Sequence, residues 1–157
     1  MNNPYDRNNT QQYLRQQIEQ AGPIEQVLML YDGAMKFLLQ AKGAIERGDI
    51  EARCNANRRA MEIMAYLLDM VNPETGGAAG KSLFGIYSSL LKRMLLIDFE
   101  NSATVCDELV ANLRNLRMGM AQGLAQQQAA KPQTGSVVAA PSTADGVPDG
   151  VRRNAVA

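Results

Sequence analysis

Histidine and tryptophan are absent from the 157-residue chain, and cysteine occurs only twice. The lack of histidine removes the usual general base at neutral pH and the commonest metal ligand, and it excludes a di-metal bundle built on Glu-x-x-His pairs. Cys54 and Cys106 lie far apart and form no Cys-x-x-Cys zinc or redox pair. Residues 75–82 lack the first glycine of a phosphate-binding P-loop and follow a helical pattern rather than a strand. The sequence therefore predicts no enzyme activity, no catalytic residue, no metal and no cofactor.

An excess of charge of either sign is also missing, because 16 Lys and Arg residues balance 16 Asp and Glu residues. Basic pairs such as Arg58-Arg59 and Lys92-Arg93 are interleaved with acidic residues, which is typical of a solvated surface rather than of a nucleic-acid interface. No stretch approaches the roughly 18 apolar residues of a membrane span, and no signal-peptide apolar region follows the polar residues 1–7. We therefore expect a soluble, cytoplasmic protein with no nucleic-acid partner and no stable membrane insertion.

Composition divides the chain into three segments. Residues 1–21 are polar and rich in Gln and Asn, and Tyr13, Leu14 and Ile18 are spaced as on one helix, which predicts a short helical segment. Residues 22–127 carry apolar side chains at intervals of three and four, as amphipathic helices do. Residues 128–157 contain Pro, Gly and Ala without aromatic or large apolar clusters, which predicts a disordered tail.

The central segment predicts four helices with short connections. Gly48 ends the first helix, Asp49 caps the second, and Ser102 caps the fourth. The predicted helices cover about 23–47, 50–71, 79–99 and 103–127. Short connections favour antiparallel neighbours, so the predicted fold is all-α, an antiparallel up-down four-helix bundle.

Three of these helices have wider apolar faces than a simple bundle needs. The apolar residues spread over roughly 220° of the helical wheel in the first helix and roughly 200° in the second and third, against about 100° in the fourth. Two interpretations stay open: the wide helices pack on two sides within the bundle, or they leave an apolar groove that receives a helix of another protein. The nine methionines suit an adaptable binding surface, and each one equally suits a core.

Asp32 and Gly33 interrupt the apolar pattern in the middle of the first helix. Asp32 has no evident partner acid, base or nucleophile, so we predict a structural bond to a backbone group or to a basic side chain. Glycine within a helix costs roughly 1 kcal/mol relative to alanine. Gly33 therefore predicts that another helix approaches closely at this point.

Two segments at fixed spacing carry a family resemblance. Tyr13 lies ten residues before Pro23, and Tyr31 lies eight residues after it, within Leu28-Met29-Leu30-Tyr31-Asp32-Gly33-Ala34. Phe37-Leu38 and Ala41 extend the match. Over about residues 5–120 the chain resembles the flagellin-export chaperone family called FliS.

The resemblance implies a function and a site. It implies a cytoplasmic export chaperone that binds the C-terminal helical segment of flagellin, prevents its premature polymerisation and assists its delivery to the flagellar type III export apparatus. It also implies that the N-terminal segment covers the empty groove, with Tyr13, Leu14 and Ile18 as a plug. The predicted groove residues are apolar positions of the first three helices: Leu30, Tyr31, Ala34, Met35, Leu38, Met61, Met64, Leu68 and Tyr87.

The sequence leaves two questions open. The alternative function is a four-helix-bundle adaptor or regulator that binds an amphipathic helix of another protein. The oligomeric state stays open between a monomer and a weak dimer.

Overall fold

Four helices begin and end at residues whose local chemistry sets those limits. The computed structural model describes residues 12, 13, 15–17 and 19–131. The helices of the bundle are α1 (Pro23–Arg47), α2 (Ile50–Met70), α3 (Gly77–Glu100) and α4 (Ala103–Ala130). Within the described residues the fold is all-α, so the predicted fold class is confirmed.

The helix caps agree with the sequence pattern. Gly22 has no side chain to cap α1, and its N–H instead donates to the Glu25 carboxylate at 3.1 Å. Gly48 ends α1 in the left-handed region with a φ of 70°, which glycine adopts without steric cost. Asp49 accepts the Ala52 N–H at 3.0 Å at the start of α2, and Ser102 accepts the Val105 N–H at 3.4 Å at the start of α4.

Two helix limits differ from the prediction by a few residues. The structure begins α3 at Gly77 rather than at residue 79, because the Gly76 carbonyl already accepts the Gly80 N–H at 3.0 Å. It extends α4 to Ala130, beyond the predicted end of the bundle at residue 127, because residues 128–130 are Gln and Ala, which favour helix. Pro132 then disfavours the helical conformation at residue 131. Beyond Lys131, the predicted disordered tail lies outside the described residues.

The helices form an antiparallel ring in which α1 has the most extensive packing. It lies between α2 and α4, whereas α3 closes the far side and packs least against α4. Asp32 bonds Arg117 and Lys42 bonds Asp107, so the partner on α4 moves back by ten residues as the residue on α1 advances by ten. This register establishes that α1 and α4 run in opposite directions.

A buried polar contact joins α2 to α3. Asn57 has no exposed surface, and its Nδ2 donates to the Met94 carbonyl at 3.0 Å and to Asp98 at 2.8 Å. The guanidinium of Arg53 donates to the other Asp98 oxygen at 3.1 Å and to Asn101 at 2.6 Å. These bonds fix the register of the two helices near the α3–α4 turn.

Across the described part of the chain, no helix combines the length and the apolar character that a membrane crossing needs.

Candidate functional site

A long apolar groove runs between α3 and α4. Its volume is about 920 Å³. The apolar lining consists of Ile24, Leu83, Ile86, Leu90, Leu116 and Met120. Because α3 and α4 are antiparallel, the first half of α3 faces the second half of α4 across the groove.

The groove is open because contacts between α3 and α4 close it at one end only. Near the turn that joins the helices, the Arg93 guanidinium donates to the Glu108 carboxylate at 2.7 Å. Toward the other end the facing positions include Gly119 and Gly123, which have no side chains to fill the space. Ile24, in the first turn of α1, closes the floor at that end.

The groove is polar at its edges but nearly uncharged. Among the described lining residues, Lys81 is the single charged side chain. Hydroxyl and amide groups supply the other polar atoms: Ser82, Ser89, Asn112, Asn115 and Gln127. A surface with an apolar floor and neutral hydrogen-bonding edges fits an amphipathic helix rather than a charged ligand.

A pair of tyrosines lies in the core beneath α1 and α3. The hydroxyls of Tyr31 and Tyr87 hydrogen-bond to each other, and the two rings meet edge to face at a centroid distance of 6.2 Å. Burial raises the pKa of Tyr31, and its hydrogen bond to Tyr87 raises it further. Burial likewise raises the pKa of Tyr87. Both phenols are therefore neutral at physiological pH and act as structural groups.

Five of the nine predicted groove residues lie in the core of the bundle. Tyr31, Ala34, Leu38 and Met64 have no exposed surface, and Tyr87 exposes 2%. A side chain without exposed surface cannot contact another chain in this conformation. The structure therefore assigns these five to the bundle core, and the wide face of α1 is used for packing on two neighbouring helices.

The other four predicted groove residues are half-buried and do not share one site. Leu30 lies in a shallow seam between α1 and α2, where the Arg59 guanidinium stacks 5.6 Å from the centre of the Phe37 ring. Met35 lies between α1 and α4. Met61 and Leu68 pack against the core from α2. None of the nine lines the α3–α4 groove.

The predicted N-terminal plug is only partly described. Tyr13 is 62% exposed and is bonded to Gln17, whose Nε2 donates to the phenol oxygen at 3.4 Å. Tyr13 does not line the α3–α4 groove in this conformation. Leu14 and Ile18 lie outside the described residues.

The groove residues that the sequence prediction omitted come from α3 and α4, apart from Ile24 of α1. Leu116 and Met120 belong to the narrow apolar stripe of the fourth helix, which the pattern assigns to the bundle interior. Gly85, Gly119 and Gly123 were the available signal, because glycines inside a helical pattern need a packing or a functional reason.

The described residues form no metal-binding cluster. Among the described residues, no group of three or more His, Cys, Asp or Glu side chains could hold a metal ion. Cys106 is buried, and burial raises the pKa of its thiol to about 11, which keeps it protonated and unreactive.

Comparison with known proteins identifies the relatives of this sequence. The family model described as flagellar protein FliS matches residues 6–128. The flagellar secretion chaperone FliS of Campylobacter jejuni is 30% identical over 98 residues, which cover 62% of this chain and 77% of that protein. The protein of the same name from Salmonella typhimurium is 30% identical over 97 residues, covering 61% and 72%. The Bacillus subtilis protein of that name is 24% identical over 135 residues, covering 86% and 96%.

Proposed function

Because the chain belongs to the FliS family of flagellar secretion chaperones, we propose that it is a cytoplasmic export chaperone for flagellin. It binds the C-terminal helical segment of flagellin and prevents premature polymerisation. It also assists delivery of that segment to the flagellar type III export apparatus. The proposal assigns no catalytic residue to the chain, since binding alone performs this function.

The observation that carries the proposal is the apolar groove between α3 and α4, which the described helices leave unfilled. The groove residue Ile86 is 38% exposed, although an apolar side chain gains by burial. A partner helix laid along the groove would cover Ile86 together with Leu83 and Leu116. The proposed mechanism is therefore helix-in-groove recognition.

Binding would order a flexible client segment, so the groove has to compensate a loss of conformational entropy. Coupled folding of such a segment costs about 2–5 kcal/mol or more. Burial of apolar surface contributes about 25 cal/mol per Å². A client that buries several hundred Å² of apolar surface can therefore offset the cost of ordering.

The N-terminal segment has a proposed role of its own in the free chaperone. We propose that Tyr13, Leu14 and Ile18 cover the groove transiently when no client is bound, which would limit self-association through the apolar surface. The exposure of Tyr13 in the structure fits a segment that docks reversibly rather than one built into the core.

The direct test is a calorimetric titration of the full chain with a peptide of about forty residues from the C-terminus of the cognate flagellin, a length that spans two helices and a turn. We expect one-to-one binding with a negative change in heat capacity, which marks burial of apolar surface. A peptide of the same composition and scrambled order is the matched control, because it has no continuous apolar face. Absence of binding by the native peptide would contradict the proposal and would favour the adaptor function instead.

A further inference from the structure

Five glycines inside the helices of this bundle fall into two groups, according to what an added Cβ atom would meet. At Gly33 the Cβ would lie 3.2 Å from Cδ1 of Ile63 on α2, and at Gly80 it would lie 2.9 Å from the Asn72 carbonyl oxygen. Internal packing accounts for these two glycines, and Gly33 has the close helix approach predicted from the sequence.

The second group has no such explanation within the described chain. At Gly85, Gly119 and Gly123 an added Cβ would meet no described atom within 4 Å. These three have no positive φ angle either, whereas Gly48 and Gly77 do. All three line the α3–α4 groove. Glycine is among the least favourable residues in a helix interior, and neither a positive φ angle nor a close neighbour in the described chain accounts for it at these three positions.

We propose that Gly85, Gly119 and Gly123 are specificity-determining residues of the groove, which admit the backbone of a partner helix into close contact with α3 and α4. This inference rests on the proposed function, and the occupant is the C-terminal helix of flagellin. Small residues at a helix interface let two backbones approach closely, since no side chain keeps them apart. Gly119 and Gly123 are four residues apart on α4 and therefore lie one above the other on the same face.

The size of the groove agrees with a seated helix. A helix of about 10 Å diameter and two turns, about 11 Å long, occupies about 850 Å³. The groove volume is about 920 Å³. The two volumes are similar, so the groove is large enough to contact about two turns of a partner helix.

The lining also defines the chemistry of the partner helix. Its face toward Gly119 and Gly123 would carry Ala, Ser or Gly four residues apart, and flanking large apolar residues would cover Leu116 and Leu90. Polar but uncharged side chains would suit the edges, where Ser89 and Asn112 offer hydrogen-bonding groups. Client helices with large side chains at the small positions would be rejected by steric clash.

The test replaces the groove glycines by alanine and measures stability and binding in the same full-length proteins. We expect Gly119→Ala with Gly123→Ala to raise the melting temperature, because alanine favours helix and meets no described atom. We expect the same double variant to bind the flagellin C-terminal peptide at least tenfold more weakly. Gly43→Ala on α1 is the matched control, since the near atom there is a nitrogen of the flexible Arg47 side chain, at 3.2 Å. It should leave the dissociation constant within twofold of the wild type.

Two results would overturn the inference. One is a double variant that binds the peptide within twofold of the wild type, and the other is a double variant with a lower melting temperature, which would show that the fold itself needs the glycines. The variant Ile86→Lys, which places a charge in the groove, distinguishes failure of the inference about the glycines from failure of the proposed function. If Ile86→Lys abolishes binding while the glycine variants bind normally, the groove remains the client site and only the role of the glycines is refuted.

Discussion

Tyr31 of α1 and Tyr87 of α3 share a hydrogen bond between their hydroxyls in the bundle core. The two residues belong to helices on opposite sides of the ring, so their contact spans the interior from α1 to α3. Both side chains are buried. This pair of buried polar groups fixes the position of α3, which is the helix least packed against its neighbour α4.

Removing one hydroxyl of the Tyr31–Tyr87 pair should lower the free energy of unfolding more than removing both hydroxyls. Tyr31→Phe or Tyr87→Phe alone leaves a buried hydroxyl without its partner, which we expect to lower the free energy of unfolding by about 1–3 kcal/mol. The double variant Tyr31→Phe with Tyr87→Phe leaves no unpaired group and should lie closer to the wild type than either single variant. Urea denaturation of the four proteins measures the coupling. Additive losses in the double variant would show that the hydroxyls do not act as a pair.

The same pair should make the protein less stable at alkaline pH. The phenols of an unfolded chain ionise near pH 10, whereas burial holds the pKa of both tyrosines higher in the folded state. Their contribution is therefore fully present below pH 10 and is lost as pH rises above that value, because the unfolded state then releases protons that the folded state retains.

Denaturation at pH 8.5 and pH 11 measures this effect. Every protein in the comparison carries Cys106→Ala, because burial also raises the pKa of the Cys106 thiol, to about 11, and its ionisation would lower the stability over the same pH range. The chain with both tyrosines should lose more stability between the two pH values than the chain with Tyr31→Phe and Tyr87→Phe. Equal losses would contradict the prediction.

A charge in the groove should weaken client binding without unfolding the bundle. Ile86→Lys places an ammonium among apolar lining residues, and we expect at least a tenfold increase in the dissociation constant for the flagellin peptide, equivalent to about 1.4 kcal/mol. Leu95→Lys is the matched control: the two positions are nine residues apart and therefore on opposite sides of α3, and Leu95 is 56% exposed. Calorimetry should find wild-type affinity for Leu95→Lys, and equal losses for both variants would argue against the groove as the binding site.

Deletion of residues 1–20 should expose the groove and leave the bundle folded. The described residues of this segment, including Tyr13, are exposed, so their loss should change the melting temperature little. If the segment covers the groove, the truncated chain should bind the flagellin peptide more tightly and self-associate more at high concentration. Sedimentation and calorimetry test both effects, with Arg15→Ala as a control that preserves Tyr13, Leu14 and Ile18. Unchanged affinity together with unchanged self-association would refute the plug.

The helices were predictable because their limits depend on local chemistry. Gly48, Asp49 and Ser102 act through bonds within three or four residues, and the structure places helix ends at all three. Asp32 likewise has the basic partner that its position predicts, since Arg117 donates to both of its carboxylate oxygens at 2.6 and 2.9 Å. The helix limits need no knowledge of how the helices are arranged, whereas the identity of Arg117 as the partner of Asp32 depends on the packing of α4 against α1.

The groove was not predictable in the same way, because it depends on which helices become neighbours. An apolar face of 200° is expected both for a helix between two neighbours and for a helix with one neighbour and one open side. Tyr31 and Leu38 turned out to be core residues because α1 lies between α2 and α4. Leu116 and Met120 line the groove because α3 does not close over them. The packing of the four helices decides whether an apolar residue lies in the core or in the groove. The spacing of apolar residues along the sequence does not specify that packing.

If the α3–α4 groove binds flagellin as proposed, the lifetime of the chaperone depends on the supply of its client. A helix that binds the folded chain and not the unfolded one raises the free energy of unfolding by mass action. Cells rich in unassembled flagellin would hold a protease-resistant population of the chaperone, whereas cells that had exhausted it would hold a population that opens more often and is degraded sooner. The abundance of the protein would then follow demand without a separate regulator.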